Sequence, residues 1–307
     1  SINDAQIFEV ESTTTGTDNV PVFSFEVEVE GDSDVQVDDF SIEATTARLS
    51  GATIYIDDLV DKVELYVDGE SVGDATIATN ENTLLFADLD LDLDADTTYD
   101  FEVRVDFLGV GGALAEGDTL SFDIGETETD LATTDIDDEN GDALADADIT
   151  GSASSETSAV YSTYIDVELV SASATANNND TAADDDIGLF TMVFDVTARG
   201  GTVYVGDTAD ATTVADGSVG VTVTDAIVYR IYDSGTATTD DESQVVTFTT
   251  PSGVTDSTDN IKINDGKTSR VTLTVQQTNT DSVDDGIWYM DLAGIGWGIA
   301  DDATYEY

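Results

Sequence analysis

Apolar and polar residues alternate along most of this chain with a period of two, the pattern of strands that bury one face. The clearest stretch is Leu91–Val105, LDLDADTTYDFEVRV, which returns without a gap at Ile261–Val275, IKINDGKTSRVTLTV. Leu91, Leu93, Phe101, Val103 and Val105 fall on Ile261, Ile263, Val271, Leu273 and Val275. A short polar segment, Ala95–Thr98 or Asp265–Thr268, separates the apolar runs in each copy. The pattern predicts strand, tight turn, strand: a β-hairpin, present twice. Two copies at a fixed offset imply a duplicated domain.

Other alternating runs fit the same scheme. Ile7, Phe8 and Val10 predict a short strand near the N-terminus. Val22–Val29, Val35–Ile42, Ala52–Ile56, Lys62–Val67 and Thr119–Ile124 predict further strands in the first half. Val160–Val170, Ile187–Val205, Ala226–Asp233, Gln244–Thr249 and Ile287–Ile299 do so in the second. Ile187–Val205 matches Val22–Val37 in kind, and Ala226–Asp233 matches Lys62–Asp68. Residues 126–158 are polar, acidic and without alternation, apart from a candidate helical turn at Asp142–Ala147, and place a domain border near 150. The expected fold class is therefore all-β: two tandem immunoglobulin-like β-sandwich domains, 21–150 and 151–307, preceded by an N-terminal extension, 1–20, with an extra strand.

Charge changes the picture more than composition does. The chain carries 67 Asp and Glu against 8 Lys and Arg, a net charge of −59. Self-repulsion on that scale destabilises a compact chain in dilute buffer. At molar salt the Debye length falls to about 3 Å and most of it is screened. A hydrophobic content of 40% excludes a disordered acidic tail, so the expected setting is high salt or bound cations. Nucleic acid and anionic lipid are excluded as partners by like charge. With no Cys and no His, disulfides, Cys–His and Ser-His-Asp catalysis and the commonest zinc ligand are excluded. No stretch of apolar residues is long enough for a membrane span, so no membrane insertion is expected. The start at Ser1 reads as a mature chain whose leader has been removed, and it lacks the long apolar N-terminal helix of type IV pilins or archaeal flagellins.

Two segments carry a resemblance. Asp186–Val205, DIGLFTMVFDVTARGGTVYV, and Ile287–Gly298, IWYMDLAGIGWG, resemble β-sandwich domains of large secreted surface proteins predicted in uncultured ultra-small bacteria. Those domains share the patterns FTxxFxVTAxG and LxGIxW. The resemblance spans most of 150–307 and only the strand pattern of the first half. It implies a fold module of a secreted surface protein and no catalytic residues.

The acidic residues offer several candidate sites. Asp88, Asp90, Asp92 and Asp94 alternate with leucines, so on a strand all four carboxylates share one face, a solvated ladder or a cation-binding one. Asp135, Asp137, Asp138, Asn140 and Asp142 surround Gly141 and form the densest oxygen cluster, a candidate Ca²⁺ site that nevertheless fails the EF-hand spacing. Asp184–Asp186, and Asp281 with Asp284 and Asp285, are weaker runs of the same kind. Loosely held monovalent cations are the alternative. Trp288, Tyr289 and Trp297 are a candidate sugar-stacking group, more readily read as core or interface. Asn179 heads a glycosylation sequon. Nothing singles out a catalytic pair among so many carboxylates, and no enzyme is expected.

These readings point to an extracellular, cell-surface structural subunit of a halophilic prokaryote that polymerises with itself. Ile7, Phe8 and Val10 are the expected donor strand of a pilus-like fibre. Lys267 and Arg270, two of the few cations, are expected to face the acidic ladder of a neighbouring copy. A surface-layer, adhesin or carbohydrate-binding module and a virion protein are the alternatives.

Overall fold

A computed structural model of the chain describes residues 1–11, 16–48, 50–125, 135–145, 148–177, 186–211, 226–233, 236–238, 242–256, 260–279 and 288–299. The described residues are all-β, in several sheets, with one helical turn. Contacts divide the chain into two compact units, Ser1–Ser162 and Thr163–Tyr307.

In unit 1 the elements run β1 (Ile7–Glu9), β2 (Thr17–Val29), β3 (Val35–Ala47), α1 (Ile56–Leu59), β4 (Val60–Val67), β5 (Glu70–Ile77), β6 (Thr83–Phe86), β7 (Leu91–Leu93), β8 (Thr97–Phe107), β9 (Asp118–Ile124), β10 (Asp135–Asp138), β11 (Ala153–Ser154) and β12 (Ser158–Tyr161). They form one twelve-stranded sheet with the path β1-β12-β9-β3-β6-β5-β4-β8-β2, with β7 and β10 also on β3 and β11 on β9. This is a near-barrel rather than the immunoglobulin-like β-sandwich that the strand pattern predicts. Its core is aromatic: Phe23 stacks on Phe122 at 6.1 Å, Phe25 on Phe101 at 5.1 Å, and Phe8 lies 5.4 Å from Phe107.

The N-terminal segment closes this barrel. β1 and β2 are the two ends of the sheet path. β1 pairs in parallel with β12, and Phe8 and Val10 are buried in the core. Just before β1, the Asn3 side chain bonds both backbone groups of Ser24 on β2. Its Nδ2 donates to the carbonyl at 2.7 Å, and its Oδ1 accepts from the amide at 2.9 Å. One side-chain amide thus does at the open edge of β2 what a neighbouring strand would do. The strand expected to be donated to another copy is therefore engaged within its own unit.

Unit 2 contains β13 (Tyr164–Asn177), β14 (Asp186–Arg199), β15 (Val203–Gly206), β16 (Thr208–Ala211), β17 (Ala226–Asp233), β18 (Thr236–Thr238), β19 (Glu242–Phe248), β20 (Val254–Asp256), β21 (Asn260–Ile263), β22 (Thr268–Asn279), β23 (Trp288–Ile295) and β24 (Trp297–Gly298). Three four-stranded sheets result: β13-β14-β22-β19, β20-β21-β15-β24, and β16-β17-β18 with β23 on β17. Phe194, Val196, Ile227, Tyr229, Ile263 and Leu273 are among its fully buried residues.

The repeated stretch is an arch, not a hairpin. β7 pairs with β3, while β8 lies between β2 and β4, so the two strands enter different parts of the sheet. Its twin behaves identically: β21 pairs with β15 and β20, while β22 lies between β14 and β19. Alternation alone cannot distinguish a hairpin from an arch, because both bury every second residue. The turns match in detail, since Asp96 (φ 52°) and its equivalent Gly266 (φ 66°) are both left-handed. Pairing also fixes the wider repeat. Val35 and Val37 oppose Leu93 and Leu91, as Val203 and Val205 oppose Ile263 and Ile261. β19, not β17, is the counterpart of β4, because Val246 and Phe248 oppose Leu273 and Val271 as Leu65 and Val67 oppose Val103 and Phe101.

Ala52–Ile56, expected as a strand, is irregular chain leading into α1, where Ile54 and Ile56 are nonetheless buried. The helical turn expected at Asp142–Ala147 does not form over Asp142–Ala145, and residues 146–147 lie outside the described residues.

If residues 1–11 close unit 1, Phe8→Ala will lower its stability by about 3–5 kcal/mol, the usual cost of emptying a buried phenylalanine site. Urea unfolding of the whole chain in molar salt measures this. A loss below about 1 kcal/mol would show that the segment is an accessory to the fold.

Candidate functional site

The acidic ladder does not exist as a strand. Asp88 and Asp90 adopt left-handed backbone angles (φ 54° and 46°), and only Leu91–Leu93 is extended. Asp tolerates this region because its short side chain bonds locally. The segment is pinned to β3 instead: Asp39 accepts from the Asp88 amide at 3.1 Å, and the Asp38 carbonyl from the Leu89 amide at 2.9 Å. The four carboxylates therefore form no common face.

The candidate Ca²⁺ cluster is also resolved into local structure. Asp135–Asp138 is β10, antiparallel to β3. The Asp138 carboxylate accepts from the backbone amides of Asn140 at 2.8 Å and Asp142 at 3.0 Å, with Asn140 Nδ2 at 3.3 Å. These bonds hold the Asp138 pKa below the ordinary carboxylate value. Asp138 is thus the organiser of a tight turn around Gly141 (φ 76°). Among the described residues no group of three or more acidic side chains converges as a metal site. Asn179, Asp184, Asp185, Asp281, Asp284 and Asp285 lie outside the described residues.

One acidic concentration is real, and it is repulsive. Asp38 on β3 has its pKa raised, first by burial and then by Asp90, Asp135, Asp137 and Asp39. Its Oδ1 is buried and makes no hydrogen bond. This local charge conflict mirrors the excess of the whole chain.

The cations act as internal clamps. Arg48 grips the fully buried Asp118 through two contacts of 2.8 and 2.6 Å, and Asp118 also accepts the Ala115 amide at 2.8 Å. Arg104 pairs with Glu102 and lies 4.3 Å above the Tyr66 ring. Lys62 holds Glu64 and Asp74, and Arg199 holds Asp166. Arg230, nearly buried, pairs with Asp291 at 2.9 Å. Arg270, expected at an interface, forms a two-pronged pair with Asp195 on the adjacent strand, both bonds at 2.7 Å. Hydrogen bonds from Arg270 lower the Asp195 pKa. Lys267 sits in the arch turn, its stem against Gly253. Arg270 is thus engaged within its own unit, and the ladder expected opposite both residues does not form a strand.

The aromatic group divides. Trp297 is buried on β24, opposite Val205. Tyr289 is 46% exposed and stacks on Tyr232 at 4.4 Å, a pair directly opposed across β23 and β17. Tyr232 lies far from Trp288 in sequence, so only the register of β17 on β23 discloses the pair.

The exposed apolar residues have a clear location. Val167, Leu169 and Val170 on β13, Leu189 on β14 and Val245 on β19 all belong to one sheet, most of them on its two edge strands. Val167 and Leu169 oppose Val196 and the buried Phe194 across β14, so they point to the core side of the sheet yet remain uncovered. The sequence marked β13 as a strand but could not show that its inner face extends past the core.

No known protein family and no curated protein matches the chain. Two solved structures of a lectin from Pleurotus ostreatus, one in its apo form and one in complex with GalNAc, align at 11% identity. They cover 94% and 97% of this chain and 80% and 85% of theirs, with TM-scores of 0.18.

Asp38→Asn removes one charge from the conflict on β3 and will raise the melting temperature in dilute buffer at pH 7. A carboxyl whose folded pKa is raised destabilises above that pKa, and the penalty disappears as pH falls through it. The gain will therefore shrink in mild acid and in molar salt. Calorimetric melting of both proteins checks this, and an equal gain at all salt concentrations would contradict the electrostatic cause.

Proposed function

We propose that this chain is a structural, non-catalytic subunit of an extracellular filament on a halophilic prokaryote, built of two tandem all-β units and assembling by strand addition between copies. The observation that carries the reading is the edge of β13. It presents unpaired backbone among the described residues and leaves apolar side chains uncovered on the core side of its sheet. Such an edge is a template for another strand, and proteins that remain monomeric guard it.

The charge supports the setting. At −59, two copies repel each other in dilute buffer. Screening at molar salt removes this barrier, so assembly and folding are both favoured where the organism would live. Cations act here as a screening atmosphere rather than as ligands of a dedicated calcium site. Assembly of this kind proceeds through sheet edges, since Phe8 and Val10 are already used within unit 1. A carbohydrate-binding role through Trp297 is less well supported, because that side chain is buried.

Negative-stain electron microscopy of the purified protein will show thin filaments in molar KCl that dissolve on dialysis into dilute buffer. Particles that remain monomeric at every salt concentration, checked by light scattering, would overturn the reading.

A further inference from the structure

The internal duplication gives β14, β15, β19, β21 and β22 of unit 2 their counterparts in β2, β3, β4, β7 and β8 of unit 1, and the two units differ at their sheet edges. In unit 1, β4 is covered on its outer side by β5, antiparallel, with Glu64, Leu65, Tyr66 and Val67 opposite Asp74, Gly73, Ser71 and Glu70. In unit 2, β19 holds the place of β4, yet among the described residues β22 is its only strand partner. At the far edge the difference is reversed. Unit 1 leaves β2 as the end strand, capped by Asn3, whereas unit 2 adds β13 outside β14. Among the described residues, unit 2 thus lacks a strand at one edge and has an additional one at the other.

We infer that β13 of one copy pairs with β19 of the next, supplying in trans the strand that β5 supplies to β4 in unit 1. This rests on the filament reading above and names its contact. Three observations support it. The sheet order β13-β14-β22-β19 is antiparallel at every step and has an even number of strands. Translating a copy along the sheet therefore sets β13 antiparallel to β19, and the contact is head-to-tail, so it repeats without closing. The lengths also match. Beyond the bulge at Leu169–Ser171, β13 offers Ala172–Ala176, and β19 offers Gln244–Phe248.

The third observation is charge. In a chain with 67 acidic residues, neither of these two segments contains any, and neither contains the Lys or Pro that commonly guards an edge. Asp166 and Glu168 lie before the bulge, and Asp166 is held by Arg199. Leu169, 61% exposed, borders the contact and Val245, 62% exposed, lies within it, and both would lose water on pairing.

The chain has no Cys, so introduced pairs report the contact without background. Val245 and Ser171, Ser173 and Thr175 lie on the outer faces of their strands, opposite to the core. Chains carrying Val245→Cys with Ser171→Cys, Ser173→Cys or Thr175→Cys are oxidised in molar KCl and run on non-reducing gels. One of the three doubles, the one in register, will give a ladder of disulfide-linked multimers, and each single variant will remain a monomer. Leu169→Glu, at an exposed position, will abolish pelleting while leaving the melting temperature unchanged. Dimers from a single β13 cysteine would show that β13 pairs with itself, overturning the assignment. Filaments that form while none of the doubles cross-links would overturn the β13–β19 contact but leave the filament reading standing. An absence of polymer from the parent chain would remove both.

Discussion

The arch that carries the chain between distant parts of one sheet in unit 1, and between two sheets in unit 2, determines nearly everything else in both units. At Asp96 and at Gly266 the backbone turns left-handed within a few polar residues, and the strand that follows pairs away from the one before. β8 and β22 become central strands, flanked on both sides and buried through Phe101, Val103 and Val105 or Val271, Leu273 and Val275. The preceding strands, β7 and β21, secure the other face through β3 and β15. A hairpin would have kept both strands in one layer and left the core without its second wall. Burial of these alternating apolar faces provides most of the favourable free energy, because the charges can provide little.

The charges instead set the conditions under which that core survives. The cations are spent on neighbours in the same unit, as Arg48 on Asp118 and Arg270 on Asp195 show. Losing a partner from a buried pair such as Arg48–Asp118 would leave an unpaired carboxylate, which commonly costs about 3–5 kcal/mol. Exposed pairs such as Arg199–Asp166 contribute far less. Eight cations cannot pair with 67 carboxylates, and clusters such as Asp38 with Asp90, Asp135 and Asp137 depend on salt for relief. The same screening that lets one copy fold allows two copies to approach.

Much of this was legible in the sequence, for reasons that also mark the limit. Period-two alternation located β8, β14 and β22, because one face of each is buried. The gapless match of Leu91–Val105 with Ile261–Val275 located the duplication. What alternation cannot encode is which strand lies beside which, so the pattern alone predicts a hairpin for the arch and pairs β17 with β4 as its counterpart. The acidic ladder failed for a local reason, since Asp is among the few residues that enter left-handed conformation readily, and Asp88 and Asp90 both do. The N-terminal strand was located correctly, but its partner, β12, lies about 150 residues away. The candidate edges were hidden for the same reason: exposure of Leu169 depends on where the opposing layer ends, and that of Val245 on which face of β19 turns outward.

Hydrogen–deuterium exchange on the parent protein in molar KCl, below and above the concentration at which it polymerises, tests the central claim most directly. Unpaired edge amides exchange quickly, and a new strand partner slows them. The account predicts that polymerisation protects Ala172–Ala176 and Gln244–Phe248 together, with the amides of β8 and β22 protected equally in both states. Assembled protein in which both segments still exchange at the rate of the dilute chain would contradict it.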